Sequence, residues 1–172
     1  IPLRKFEDDV IYSPPFSDTI YHVTDKGLDP LYHLKIKGAK QITIDKNITD
    51  ISLNEYKENN PFFNGEIIEL KDATMFHIFE YYINWSRFVI YSKKRNKVFS
   101  CNGTLKNPFF CLFRAPKARY KDDMVVVNVS SLNVIANSNI FYQLGEKNLV
   151  DALFKDLTED SNPVLFFYKI KV

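Results

Sequence analysis

The stretch Phe16–Gly38, FSDTIYHVTDKGLDPLYHLKIKG, decides the fold class. From Thr19 the residues alternate, with Thr19, Tyr21 and Val23 on one face and Ile20 and His22 on the other; this period of two is that of an extended strand. Thr24–Gly27 (TDKG) then supplies turn chemistry. After Pro30 the chain returns with Tyr32, Leu34 and Ile36 on one face and His33 and Lys35 on the other. A β-hairpin with one apolar side and one mixed side is predicted.

The same plan recurs further on. TMFHIFEYYIN alternates, SRFVIYS is apolar on both faces, KKRN is a polar turn and KVFSC runs back, which predicts three strands in meander order. RFVIYSKKRNKVFS repeats the opening hairpin: an aromatic-rich strand ends in Tyr before a charged turn. DDMVVVNVS reads as a buried strand. Between the two blocks, residues 41–72 are polar, with Pro61, Gly65 and several Asn, so only a short strand over Ile67–Leu70 is expected there. In NLVDALFKDL, Leu149, Leu153 and Leu157 recur at helical spacing and predict one short amphipathic helix with those leucines as its buried face. The closing stretch alternates Val164, Phe166, Tyr168, Ile170 and Val172 against lysines, and is expected as an inner strand of a sheet.

Composition agrees with a β protein. The 172 residues include 15 Phe and 10 Tyr but only 5 Gly, and 45% are hydrophobic, enough to bury a core and exclude intrinsic disorder. A formal net charge of +2 is spread along the chain, so no polybasic stripe marks a nucleic-acid or membrane surface. Apolar runs such as MVVV and VLFFY fall far short of the ~20 residues of a spanning helix. The chain starts IPLRKFEDD, without an initiator Met or a signal core, and any targeting segment is expected to be removed or upstream.

Candidate chemistry is sparse. His22, His33 and His77 each follow an aromatic residue in a predicted strand, and His22 and His33 are candidates to meet across the hairpin and offer two imidazoles to a metal. No Cys or carboxylate falls at ligand spacing beside them, so strand histidines are the preferred reading. The acidic pairs Asp8–Asp9, Asp122–Asp123 and Glu159–Asp160 border predicted strands, where solvated turns are preferred over acid and base work. No Gly-x-Ser-x-Gly elbow or Gly-rich phosphate loop exists. Arg114, Lys117, Arg119 and Lys121 cluster with aromatics in FFCLFRAPKARYKDD, a candidate anion or glycan contact set against a plain solvated loop. Cys101 and Cys111 flank a loop, and two buried thiols are preferred over a disulfide. Asn47, Asn84, Asn102 and Asn128 stand in Asn-x-Ser/Thr sequons, mostly by chance in so Asn-rich a chain.

SDTIYHVTDKGLDPLYHLKI, the meander after it and EDSNPVLFFYKIK at the end together resemble the six-bladed β-propeller lipoproteins of Bacteroidetes. The resemblance is most specific over Ser17–Ile36 and Asp160–Lys171 and looser over Met75–Val129. It implies an all-β fold of propeller-like blades built from antiparallel meander strands, with one short helix near the C-terminus. Six blades of ~40 to 45 residues do not fit into 172 residues, so the whole chain is expected to be a single β domain, the C-terminal two to three blades. The resemblance further implies export to the periplasm or the outer-membrane or cell surface, with a lipid anchor upstream. It carries no catalytic motif, so no catalytic, cofactor-binding or metal residue is assigned and no cofactor is expected. The preferred function is a non-catalytic binding or scaffold module contacting a protein or saccharide, and not nucleic acid. The alternative is part of a propeller hydrolase or lyase whose catalytic residues lie mostly in missing blades. A self-standing open sheet or sandwich is the third reading.

Overall fold

The computed structural model describes residues 3–39, 50–80, 85–100 and 116–171. They form three antiparallel sheets in succession. The first runs β1 (Leu3–Phe6), β2 (Asp9–Tyr12), β3 (Thr19–Thr24) and β4 (Gly27–His33), paired in chain order. After helix α1 (Asp50–Asn59) the second takes β5 (Phe62–Glu69), β6 (Ala73–Glu80), β7 (Trp85–Ser92) and β8 (Lys97–Ser100), again in chain order. The third has β9 (Ala118–Lys121), β10 (Met124–Val129) and β11 (Val164–Lys169), with helices α2 (Ser131–Ala136), α3 (Ser138–Leu144) and α4 (Lys147–Phe154) between its last two strands.

The opening hairpin is β3–β4, and its counterpart in the sequence repeat is β7–β8, so both copies of that motif are the third and fourth strands of their sheets. The faces differ from the expectation. A register shift between Ile20 and Tyr21 pairs Ile20 with Tyr32 but Tyr21 with Pro30. Ile20, Tyr32, Leu34 and Ile36 therefore pack against the second sheet, while Tyr21 looks away with Tyr12, their rings 6.2 Å apart. Pro30 sits in β4, an edge strand, where a missing N–H does no harm.

The second sheet is the middle layer. Its Phe63, Ile67, Phe76 and Ile78 meet Ile11 and Ile20 of the first sheet; its Ile68, Leu70, Ala73, Met75, Phe88 and Ile90 meet Val125, Tyr168 and Ile170 of the third. Burial on both sides explains why Ala73–Ile78 is buried at every position, with no polar alternation. A third cluster joins Val127 and Val129 of β10 to Val134, Phe141 and Val150 of the helices, with Phe166 and Val164 of β11 against it.

Two glycines sit where a side chain has no room. Gly65, at φ +84°, occupies the bulge in β5 between Phe63 and Ile67, and a Cβ there would stand 2.8 Å from the Ser13 carbonyl oxygen. Gly145 lets α4 start against α3, since its Cβ would meet a Val150 methyl at 2.5 Å. Ser130 starts α2 by accepting the Asn133 N–H on its side chain.

Several expectations are corrected. There are four helices among the described residues and not one. The connection expected as irregular holds α1 and the eight-residue strand β5, well beyond the short strand foreseen over Ile67–Leu70. The predicted leucine stripe is rotated: Val150 is buried in α4, Leu153 and Leu157 pack at the border of the cluster, and Leu149 is 67% exposed. The closing strand is the outermost strand of its sheet, paired with β10 alone, because the helices return the chain beyond β10 and not between β9 and β10. Its predicted apolar face is inward all the same: Val164, Phe166, Tyr168 and Ile170 all pack on buried clusters.

Candidate functional site

The first strands of the three sheets converge. β1, β5 and β9 border a cleft of about 550 Å³, within the range of small-ligand pockets. Its wall carries four cations, Arg4, Lys5, Lys117 and Arg119, against two carboxylates, Glu7 and Glu69, with Phe6 and Tyr120 among them. The Arg119 guanidinium lies 4.5 Å from the Phe6 ring centre and 3.2 Å from Asp122. Lys93 reaches the same ring at 5.4 Å.

Beneath the cleft is a buried polar cluster. Glu69, 8% exposed at its side chain, takes the Tyr32 hydroxyl at 2.9 Å and the Lys93 ammonium on one oxygen. Tyr32 is also 2.9 Å from the Thr74 hydroxyl, and burial, with the Glu69 charge adding, pushes its phenol well above the ordinary 10. Glu69 Oε2 and Arg4 Nε have no hydrogen-bond partner among the described residues.

A second polar group lies in the middle sheet. His77 stacks on Phe88, ring centres 4.5 Å apart, and its Nδ1 meets Glu66 and, at 3.2 Å, the Asn64 amide. Its Nε2 is buried without a partner among the described residues. Burial pushes the imidazole below its ordinary 6.5, outweighing the pull of Glu66, so it is neutral at neutral pH. Glu66 pays for partial burial, yet the hydrogen bonds from Asn64 and His77 hold it below the usual carboxylate range.

The sign of the His77 effect follows. Below pH 6.5 the unfolded chain binds a proton that the folded chain refuses, so stability rises with pH there. The contribution is complete above 6.5 and drains away as pH falls through it toward the lowered folded value. The denaturation midpoint should drop between about pH 7.5 and about pH 5, and His77→Gln should flatten that part of the profile. An unchanged slope in the variant would remove His77 as the cause.

The candidate residues of the sequence are distributed as follows. His22 pairs with Asp29 across the hairpin, and His33 with Thr19, so the two imidazoles do not meet. His22 Nε2 is 2.9 Å from Asp9 instead, and His33 Nδ1 is 3.4 Å from the Thr19 hydroxyl. Among the described residues no three metal-ligating side chains gather. Asp8 and Asp122–Asp123 occupy turns, where Asp123 takes Lys169 at 2.8 Å, and Glu159–Asp160 lie in a turn as well. Of the basic cluster, Lys117 and Arg119 line the cleft, and Lys121 stands over the Tyr120 ring. Arg114, Cys101, Cys111, Asn47, Asn84 and Asn102 lie outside the described residues. Arg4, Phe6 and Glu69, from distant strands, were not singled out by the sequence; no motif links them.

No described helix is long and apolar enough to cross a membrane. Comparison with curated proteins gives no match. Among solved structures, that of a Bacteroides fragilis protein classed as exported is similar, with a TM-score of 0.65 and 16% identity over 98% of this chain and 49% of that one. The identity is low enough that the likeness speaks for the fold, and the chain spans about half the length of that neighbour. A family model described as a 6-bladed beta-propeller matches residues 1–126, most of the chain, so the protein belongs to the 6-bladed beta-propeller family.

Proposed function

We propose that the chain is the C-terminal three blades of an exported six-bladed propeller and acts as a binding module, its cleft taking an anionic saccharide. The observation that carries the ligand is the cleft itself: the first strands of three sheets bring four cations and two aromatic rings around about 550 Å³. A charged sugar offers carboxylates or sulfates to Arg4, Lys117 and Arg119, and a ring face to Phe6 or Tyr120. Two faces left partly open among the described residues support the half-propeller reading. On the first sheet Leu3, Tyr12, Tyr21 and Pro30 share one lateral row, with Lys5, Val10, Val23 and Leu28 beside it. On the third, Tyr120, Leu165 and Phe167 are exposed. Further blades stacked on both faces would cover them. Export to the periplasm or cell surface, with a lipid anchor upstream, fits the exported neighbour.

The enzyme reading has its own support in the His77–Glu66 pair, an oriented imidazole whose Nε2 has no partner among the described residues. It requires a substrate path to an atom that is fully buried, and this ranks it second.

The test is a glycan array followed by calorimetric titration. Oligogalacturonate or sulfated oligosaccharides should bind, more weakly as salt rises, while neutral oligosaccharides should not. Lys117→Ala combined with Arg119→Ala should weaken that binding by about tenfold or more, the equivalent of ~1.4 kcal/mol. Binding of neutral and charged glycans alike, or of none, would sink the anionic-saccharide reading.

A further inference from the structure

Three buried side-chain atoms lack a hydrogen-bond partner among the described residues: Arg4 Nε, Glu69 Oε2 and His77 Nε2. Buried polar groups in folded proteins are nearly always paired, so each calls for a reason. Two of the three belong to residues that line one cleft, Arg4 from β1 of the first sheet and Glu69 from β5 of the second; His77 does not line it. The cations of that cleft account for the binding of an anion. They do not account for a buried carboxylate among them, which repels one.

Glu69 is held in one attitude. Its Oε1 takes both the Lys93 ammonium and the Tyr32 hydroxyl, Lys93 also donates to the Leu70 carbonyl at 2.7 Å, and Tyr32 meets the Thr74 hydroxyl at 2.9 Å. Turning the carboxylate to pair Oε2 would break that set, so Oε2 stays an acceptor whose charge Lys93 offsets. Arg4, half-buried at the cleft wall, contributes the complementary donor in its Nε–H. Both atoms are shut from bulk water, and the long Arg4 stem is what must shift to admit a ligand group from the cleft.

We propose that Glu69 and Arg4 select for a free hydroxyl on the bound sugar, so that the cleft takes an acidic saccharide with unsubstituted ring hydroxyls, such as a uronate, and not any polyanion. This rests on the anionic-saccharide reading above. A hydroxyl both donates and accepts: it gives its proton to Glu69 Oε2, and the same or the neighbouring ring oxygen accepts from Arg4 Nε–H. An ionised sulfate or carboxylate only accepts, and has no proton for Glu69. Lys117 and Arg119 are left to take the acid group. A site built around a hydroxyl rejects an analogue that lacks it, because the buried groups then stay unpaired.

Calorimetric titration of the 172-residue chain compares a short oligogalacturonate with the same oligomer methylated at its ring hydroxyls, its carboxylates left free. The native chain should prefer the free-hydroxyl form by about tenfold or more. Glu69→Gln should turn its amide oxygen to Lys93 and Tyr32 and set an NH2 where Oε2 stood; Arg4→Lys keeps the charge and removes the Nε donor. Each should bring the preference within about threefold. Near-ultraviolet dichroism checks that each variant is folded, and Arg4→Lys carries the test if Glu69→Gln is not. Equal binding of the two ligands by the native chain would overturn the proposal and leave the anionic reading standing, whereas binding of neither would remove both. A preference that survives in both variants would assign it to the bulk of the methyl groups. A rise in affinity for both ligands alike in Glu69→Gln would make Glu69 a bystander charge. Either result overturns the proposal.

Discussion

Phe63→Ala should cost about 3 to 5 kcal/mol of stability, the range for removing a fully enclosed aromatic side chain. Phe63 is 1% exposed and sits between Ile11 and Ile20 of the first sheet and Phe76 and Ile78 of the second. Its ring meets Phe76 edge-on, centres 6.5 Å apart, and its carbonyl accepts the Phe16 N–H at 2.8 Å. The backbone around it has little freedom to close the cavity, because the Gly65 bulge next door is pinned by the Ser13 hydroxyl donating to the Gly65 carbonyl. Urea denaturation of both proteins measures the loss. A change under about 1 kcal/mol would mean that the first sheet does not rest on this residue.

Deleting Phe166 and everything after it should abolish native packing of the third sheet. Phe166, Tyr168 and Ile170 are lost together, and they serve two clusters: one that joins the third sheet to the second and one that seats the helices. Val125, Val127 and Val129, all at 1% exposure or less, would then lose their cover along a strand left paired with β9 alone. At roughly 1.5 to 3 kcal/mol for each large side chain, the loss rivals the whole stability of an ordinary domain. The expected product is insoluble, or soluble without near-ultraviolet dichroism. A truncated chain with a native spectrum would show that β11 is dispensable.

The strands were legible because their residues announce them. Thr19–Val23 and Val164–Ile170 each set an apolar face against a mixed one, and the turns between strands carry Asp, Lys, Asn and Gly. The helices were not. α2 and α3 are six and seven residues long, too short to show two turns of periodicity, and SLNVIANSNIFYQL is rich in Asn. α1, DISLNEYKEN, has almost no apolar stripe. The orientation of α4 is not legible in the sequence because Leu149 and Val150 compete for the inward position, and the choice falls to Val150 only when α3 and Gly145 close against it. The cleft was half visible: Lys117 and Arg119 stood out beside aromatics, whereas Arg4, Phe6 and Glu69 come together only because β1, β5 and β9 converge.

The middle sheet has a consequence for specificity of pairing. In a strand with one wet face, slipping by one residue drives the apolar set into water, and that cost fixes the register. β6 has no wet face over Ala73–Ile78, so hydrophobicity alone scarcely distinguishes one alignment from the next. What distinguishes them is polarity in the interior: Thr74 finds the Tyr32 hydroxyl, and His77 finds Glu66 and Asn64, in a single alignment of β6 with its neighbours. The least oily residues of the strand thus act as its alignment marks, and the Gly65 bulge sets where the count along β5 begins.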